Sequence, residues 1–272
     1  MQAHSSPSFS WQSPTAFEIG DDGGVTSALL TPWWRNRAAQ APSDDAAGST
    51  DPTRILDWQD PRVRALVQVA RAAVGNTDDA RLLRAAHQQI SNRVRPVYSG
   101  NDARPVSQVL ARGRGSCSQR LALLEAVARS SGIATRVRGL VVDGRFWYPR
   151  FPRLKVLVPD SVLLAWPQFL LDERWVDSSE LFGTLVELAE GSSPGFTNAG
   201  GETLFEALPR TALDWDGRTS DLGTCSACDL SARVVVDLGL YDSRDLLFRE
   251  QGQTLSWVAR TLVEPILGRW GP

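Results

Sequence analysis

Apolar residues recur at helical spacing over the first part of the chain after residue 60, and the pattern turns to alternation beyond residue 134. Asp60-Pro61 opens a predicted helix with Val63, Leu66, Val67, Ala70 and Val74 on one stripe, and Gly75-Asn76 ends it. A second helix starts near Asp78, carries Leu82, Leu83, Ala86, Ile90 and Val94, and is stopped by Pro96. Residues 99–105 read as a loop, and 106–115 as a short helix running into a Gly-rich turn. Ser116 then caps a helix starting at Cys117, with Leu121, Leu124, Val127 and Ala128 as its buried stripe and Gly132 at its end. "ATRVRGLVV" predicts a strand, with Asp143-Gly144 as a hairpin turn, and "LKVLV" at 154–158 another. "SVLLAWPQFLL" and "RWVDSS" predict a hairpin around Asp172-Glu173. Residues 184–230 read as mostly loop, "ARVVVDL" as a strand, and about 242–267 as a closing helix. Helices first and a mostly antiparallel sheet second make an α+β fold, with the Cys-bearing helix packed on the sheet.

The first 53 residues, rich in Ser, Pro, Gly, Asp and Ala, read as a mobile arm. Leu29, Leu30, Trp33 and Trp34 form its one sticky patch, suited to docking on the body or to a dimer contact. Residues 54–272 then form the domain, with core motifs at 106–183 and an extension at 184–272.

Cys117 is the one residue whose local setting suggests chemistry. A helix N-terminus favours a thiolate through its free N–H groups and dipole, and Arg112, Arg114 and Arg120 add positive charge. The same N–H groups can hold an oxyanion. The plainer alternative is a small buried residue filling a helix–sheet contact.

The stretch around Cys117 resembles the core of the transglutaminase-like superfamily of papain-like thiol enzymes. "GSC" followed by "RSSGIATRVRG" matches that family's spacing at Arg129, Gly132, Ile133, Arg136 and Gly139. Residues 164–177, "LAWPQFLLDERWVD", are similar to its "H-A-W-x-E" motif, and the likeness spans roughly residues 60–185. The resemblance implies Cys117 as nucleophile, Asp177 as the family's aspartate, and Trp166 and Gln168 beside the substrate. It also exposes a departure: Leu164 stands where the family has its catalytic histidine, and Gln168 where it has Glu. Leucine cannot carry a proton, so ordinary amide hydrolysis or transamidation is not expected. Only two histidines exist: His4 lies in the arm, and His87 reads as a surface or boundary residue.

Composition narrows the rest. The 272 residues are 42% hydrophobic, enough for a real core, and a net charge of −2 argues against nucleic acid. No leader pattern or long apolar run is evident, which predicts a cytoplasmic chain, away from membranes, with reduced thiols. "RFWYPRFPR" at 145–153 looks like the rim of a cleft, where Arg145 and Tyr148 would meet substrate, and Arg145, Arg150 or Arg153 could grip a carboxylate or phosphate. Cys225-Ser-Ala-Cys228 lacks a second pair, so no metal or other cofactor is expected.

Three functions compete. One is an acyl transferase or cyclase of bacterial secondary metabolism, acting through Cys117 on a small-molecule or carrier-bound thioester, whose leaving group needs little protonation. The second is a catalytically dead binding protein or scaffold. The third is acid/base isomerisation or cyclisation in the same cleft.

Overall fold

The computed structural model describes residues 45–75, 78–153, 155, 158–191, 195, 196, 198, 200–216 and 230–255. Helix α1 (Pro61–Val74) starts where Asp60 accepts from the Arg62 N–H, and α2 (Asp79–Arg93) where Asp78 accepts from Ala80. Both bury the stripes that periodicity marks. A two-residue strand β1 (Arg95–Pro96) follows, then α3 (Val106–Arg112) and β2 (Arg114–Gly115), which pairs with β1 in parallel. That small pairing brings Val97 and Tyr98 up against the turn ahead of Cys117.

Helix α4 (Cys117–Ser130) is the central helix, buried on nearly every side from Gln119 to Arg129. Ser116 caps it in a reciprocal box with Gln119, and the Gln119 amide also donates to Ser99 Oγ at 3.0 Å and to the Asn101 carbonyl at 2.7 Å. At its other end Gly132 takes a left-handed conformation and turns the chain into the sheet.

The sheet comprises β3 (Thr135–Asp143), β4 (Ser161–Leu171), β5 (Arg174–Asp177) and β6 (Val234–Tyr241), in the order β5-β4-β3-β6, all antiparallel. Asp172 and Glu173 have φ of 47° and 61°, the tight hairpin expected there. Short helices α5 (Leu185–Glu190) and α6 (Leu204–Ala207) break up the region expected to be mostly loop. Helix α7 (Arg244–Gln251) stops at Gly252, well short of 267; residues from 256 on lie outside the described residues.

Two expectations on the sheet are corrected. Asp143-Gly144 is not a two-residue hairpin: β3 and β4 pair from Asp143 and Ser161 onward, and residues 144–160 form a long excursion between them. Gly144 is needed for a close approach, since a Cβ there would sit 1.7 Å from the Pro159 carbonyl oxygen. Lys155 and Val158, the described part of "LKVLV", are not in a strand.

Residues 46–51 are already anchored ahead of the expected domain start. Ser49 bridges to Thr135, Gly48 N–H donates to Asp242, and the Arg129 guanidinium donates to the Asp51 carbonyl, to Thr135 and to the Asp242 carbonyl. The apolar patch at 29–34, His4, Cys225 and Cys228 lie outside the described residues. Among the described residues no helix is long and apolar enough to cross a membrane.

Candidate active site

Cys117 is the first residue of α4 and borders a cavity of about 310 Å³. The cavity is walled by apolar groups, among them Phe146, Trp147, Phe151, Val162, Leu164, Trp166 and Phe196. Leu164 lines the same cavity as Cys117.

Cys117 is half-buried. Burial pushes the thiol up to about 12 from an ordinary 9.0. Arg120, an N–H of Phe205 and Arg244 pull it down, and Glu206 pushes it further up; none of them offsets the burial. The activated thiolate expected from the helix N-terminus is thus corrected. Against the apolar wall, desolvation outweighs the pull of Arg120 and Arg244.

Two ion pairs, each on a fully buried arginine, brace this end of α4. Arg120 pairs with Glu206 and lies over the Phe205 ring at 4.4 Å, and Arg244 pairs with Glu125 while donating to Ser118 and to the Ala165 carbonyl. His87 belongs to the same packing. It is 5% exposed, stacks on Phe205 at 4.4 Å, and its Nε2 lies 2.6 Å from the Phe205 carbonyl. Burial holds its pKa below the ordinary value. The expectation of a surface or boundary histidine is corrected: His87 is a core side chain. It is absent from the residues that line the cavity, which Cys117 borders.

Asp177 stands apart. It pairs in register with Gln168, whose amide donates to it at 3.1 Å, while Arg136 donates to Gln168 at 2.7 Å. Gln168 is four residues along β4 from Leu164, about 13 Å at the rise of a strand. A side chain at 164 therefore cannot reach Asp177. Burial raises the Asp177 carboxyl from 3.8 to about 6, with Gln168 lowering it and Glu180 raising it. Neither Asp177 nor Gln168 is among the residues that line the cavity.

Residues 67–178 match the sequence model of the transglutaminase-like superfamily. This core is transglutaminase-like. Two solved structures resemble it. One is a candidate cysteine protease from Cytophaga hutchinsonii, 16% identical, covering 47% of this chain and 39% of that one, with a TM-score of 0.32. The other is a candidate protease from Parabacteroides distasonis, 15% identical, covering 45% of this chain and 24% of that one, with a TM-score of 0.30. The chain thus spans less than half the length of either. No curated protein matches.

Within the transglutaminase-like core, the rim residues chosen from sequence are only partly right. Trp166 lines the cavity and is 1% exposed. Arg145 is exposed and Tyr148 stacks near Lys155, and neither lines the cavity; the stretch instead turns Phe146, Trp147, Arg150 and Phe151 inward. The irregular path of 144–160 sets which side chains face in, and no period of 2 or 3.6 could have sorted them. Phe196, Asn198, Thr203 and Leu204, also at the cavity, come from a region without periodicity. Among the described residues no three His, Cys, Asp or Glu side chains gather as a metal set.

Proposed function

We propose that this transglutaminase-like chain binds an apolar small molecule in the cleft beside Cys117 and does not cleave or form amide bonds there. The observation that carries the reading is Leu164. It puts a side chain unable to move a proton into an apolar cavity, next to a thiol held neutral up to about 12. Amide chemistry needs a thiolate to attack and an acid to protonate the departing amine, and neither is at hand. A cavity of about 310 Å³ with aromatic walls falls at the small end of ligand pockets.

The test is a titration with N-phenyl-1-naphthylamine, a neutral apolar fluorophore, alongside an assay on peptide p-nitroanilides. Saturable binding at one site per chain is expected, with turnover no faster than that of Cys117→Ala. Turnover that Cys117→Ala abolishes would overturn the reading.

A second reading rests on a separate observation: an N–H of Phe205 aims at the Cys117 sulfur beside the α4 N-terminus. Such donors suit an acyl group passing from a thioester, where the Cys117 sulfur bonds the acyl carbon and the departing thiolate takes the thiol proton. Incubation with decanoyl-coenzyme A and intact-mass measurement tests it. A decanoyl adduct on Cys117 supports acyl transfer, and an unmodified mass at high pH rejects it.

A further inference from the structure

We propose that the face formed by β1, β2 and the ends of α2 and α3 is a docking surface for an acidic segment, rich in Asp or Glu, of a partner protein. It stands whatever fills the cavity.

From Ala80 to Leu124 the sequence holds eight arginines and a single carboxylate, Asp102, in a chain whose net charge is −2. Asp102 is buried, and its backbone N–H donates to Gln253. The fold gathers four of these arginines. Parallel pairing of β1 with β2 sets Arg95 in register with Arg114, on strands about 4.8 Å apart. Arg93 ends α2 and Arg112 ends α3, each next to one of the two strands. Arg93, Arg95 and Arg112 are exposed, and Arg114 is half-buried. Arg81 has Asp78 and Arg120 has Glu206, but among the described residues no carboxylate pairs with Arg93, Arg95 or Arg114.

A basic residue in the last turn of a helix is favoured by the helix dipole, which accounts for Arg93 and Arg112. It does not account for Arg95 and Arg114, which lie past the helix ends and stand opposite each other on a ladder. Like charges so placed destabilise the pairing, and a carboxylate shared between guanidinium groups relieves it. The patch is short, with two residues on each strand, which suits a few acidic side chains. A nucleic-acid strand also needs rings on which its bases stack. Tyr98, the aromatic residue that follows β1, is already packed against Phe151 at 4.8 Å. Val97 and Ser116, two residues beyond Arg95 and Arg114, line the cavity, so a partner seated here lies beside the cleft.

The experiment is fluorescence anisotropy with the full chain at pH 7.5 and low salt. The probes are a fluorescein-labelled peptide of alternating Glu and Ala, and the same peptide with Gln in place of every Glu. The Glu peptide should bind about tenfold tighter, the joint effect of several exposed ion pairs, and lose that advantage at high salt. The double variant Arg93→Gln/Arg95→Gln should bring the Glu peptide down to the level of the Gln peptide. Arg64→Gln/Arg71→Gln, at exposed positions of α1, should leave its binding unchanged. Should a variant lose its cooperative melt, backbone amide shifts of the wild-type chain decide: the Glu peptide should move those of residues 93–97 and 112–116. Equal binding of the two peptides, an α1 variant as damaging as the patch variant, or shifts confined to other residues would overturn the proposal. Oligothymidylate of the same length binding more tightly than the Glu peptide would overturn it in favour of nucleic acid.

Discussion

The neutral thiol of Cys117 can be read directly by alkylation against pH. The folded protein holds it at about 12 instead of 9.0. At pH 8 that leaves a thiolate fraction of roughly one in ten thousand, against about one in ten for an unperturbed thiol. Only the thiolate attacks iodoacetamide, but a more basic thiolate attacks faster, by about 0.4–0.5 log unit for each pKa unit. Three units return roughly a factor of twenty, so folded Cys117 should react about fortyfold more slowly than the same residue in urea, before any shielding by the cavity wall. The rate should rise about tenfold with each pH unit up to pH 10 and show no plateau. Peptide mapping keeps Cys225 and Cys228 separate from Cys117. Leu164→His then places an imidazole in the same cavity, and a plateau should emerge below pH 9 as a thiolate–imidazolium pair forms. Peptide hydrolysis should remain weak in that variant, because Asp177 lies too far along the sheet to orient the new ring. A wild-type plateau below pH 9, or equal rates folded and unfolded at pH 8, refutes the reasoning.

Three more outcomes follow from buried charge and backbone geometry. Asp177 titrates near 6 instead of 3.8, so the folded state binds its proton more tightly than the unfolded chain does. Its contribution is full below pH 4 and is lost as pH rises to 6; Asp177→Asn should remove that slope and gain at most roughly 3 kcal/mol at pH 7, read from thermal melts across pH. Arg244 and Glu125 are both fully buried, so Arg244→Met alone should cost about 3–5 kcal/mol in urea unfolding, and adding Glu125→Leu should recover most of it. Gly48 has a φ of 74°, and a Cβ there would lie 2.4 Å from Trp175. Gly48→Ala should therefore destabilise by roughly 1–3 kcal/mol, and no loss in urea unfolding would mean that residues 46–51 do not hold the sheet.

Local periodicity made α1, α2, α4, β3 and the β4–β5 hairpin legible, because each has one face against the core and a capping or turn residue at its ends. The same logic places His87 beside Ala86 and Ile90 on the apolar side of its helix, a signal outweighed by its polarity. Leu83, Ala86, His87 and Ile90 fall at one helical spacing, and all four are buried. Polarity suggested solvent, but Phe205 supplies both a ring to stack on and a carbonyl, and the core tolerates a polar ring so satisfied. The excursion at 144–160 was opaque for a different reason. Asp-Gly is a sound turn signal, yet the need for glycine came from a carbonyl 15 residues on, which no local pattern encodes. Asp177 is assigned as the family's aspartate by the resemblance of residues 164–177 alone. Strand register decides such questions, and here it pairs Asp177 with Gln168.

Leu164 and the high thiol pKa belong to one apolar wall. An imidazole at 164 would bring a charge, and that charge would hold the neighbouring sulfur ionised. Leucine brings neither charge nor hydrogen bond, and it extends the apolar wall that already contains Phe146, Phe151 and Val162. Each apolar neighbour raises the cost of a thiolate, so a site with leucine at 164 gives the Cys117 sulfur no reason to ionise. The costly structural parts of the site are nevertheless still in place. Arg120–Glu206 and Arg244–Glu125 keep two cations buried around the first turns of α4, and Arg244 ties that turn to the β4 backbone one residue from Leu164. These pairs fix the shape of the cavity whether or not a proton moves inside it. An apolar wall held in shape by such pairs, with no proton carrier at 164, is suited to holding a molecule.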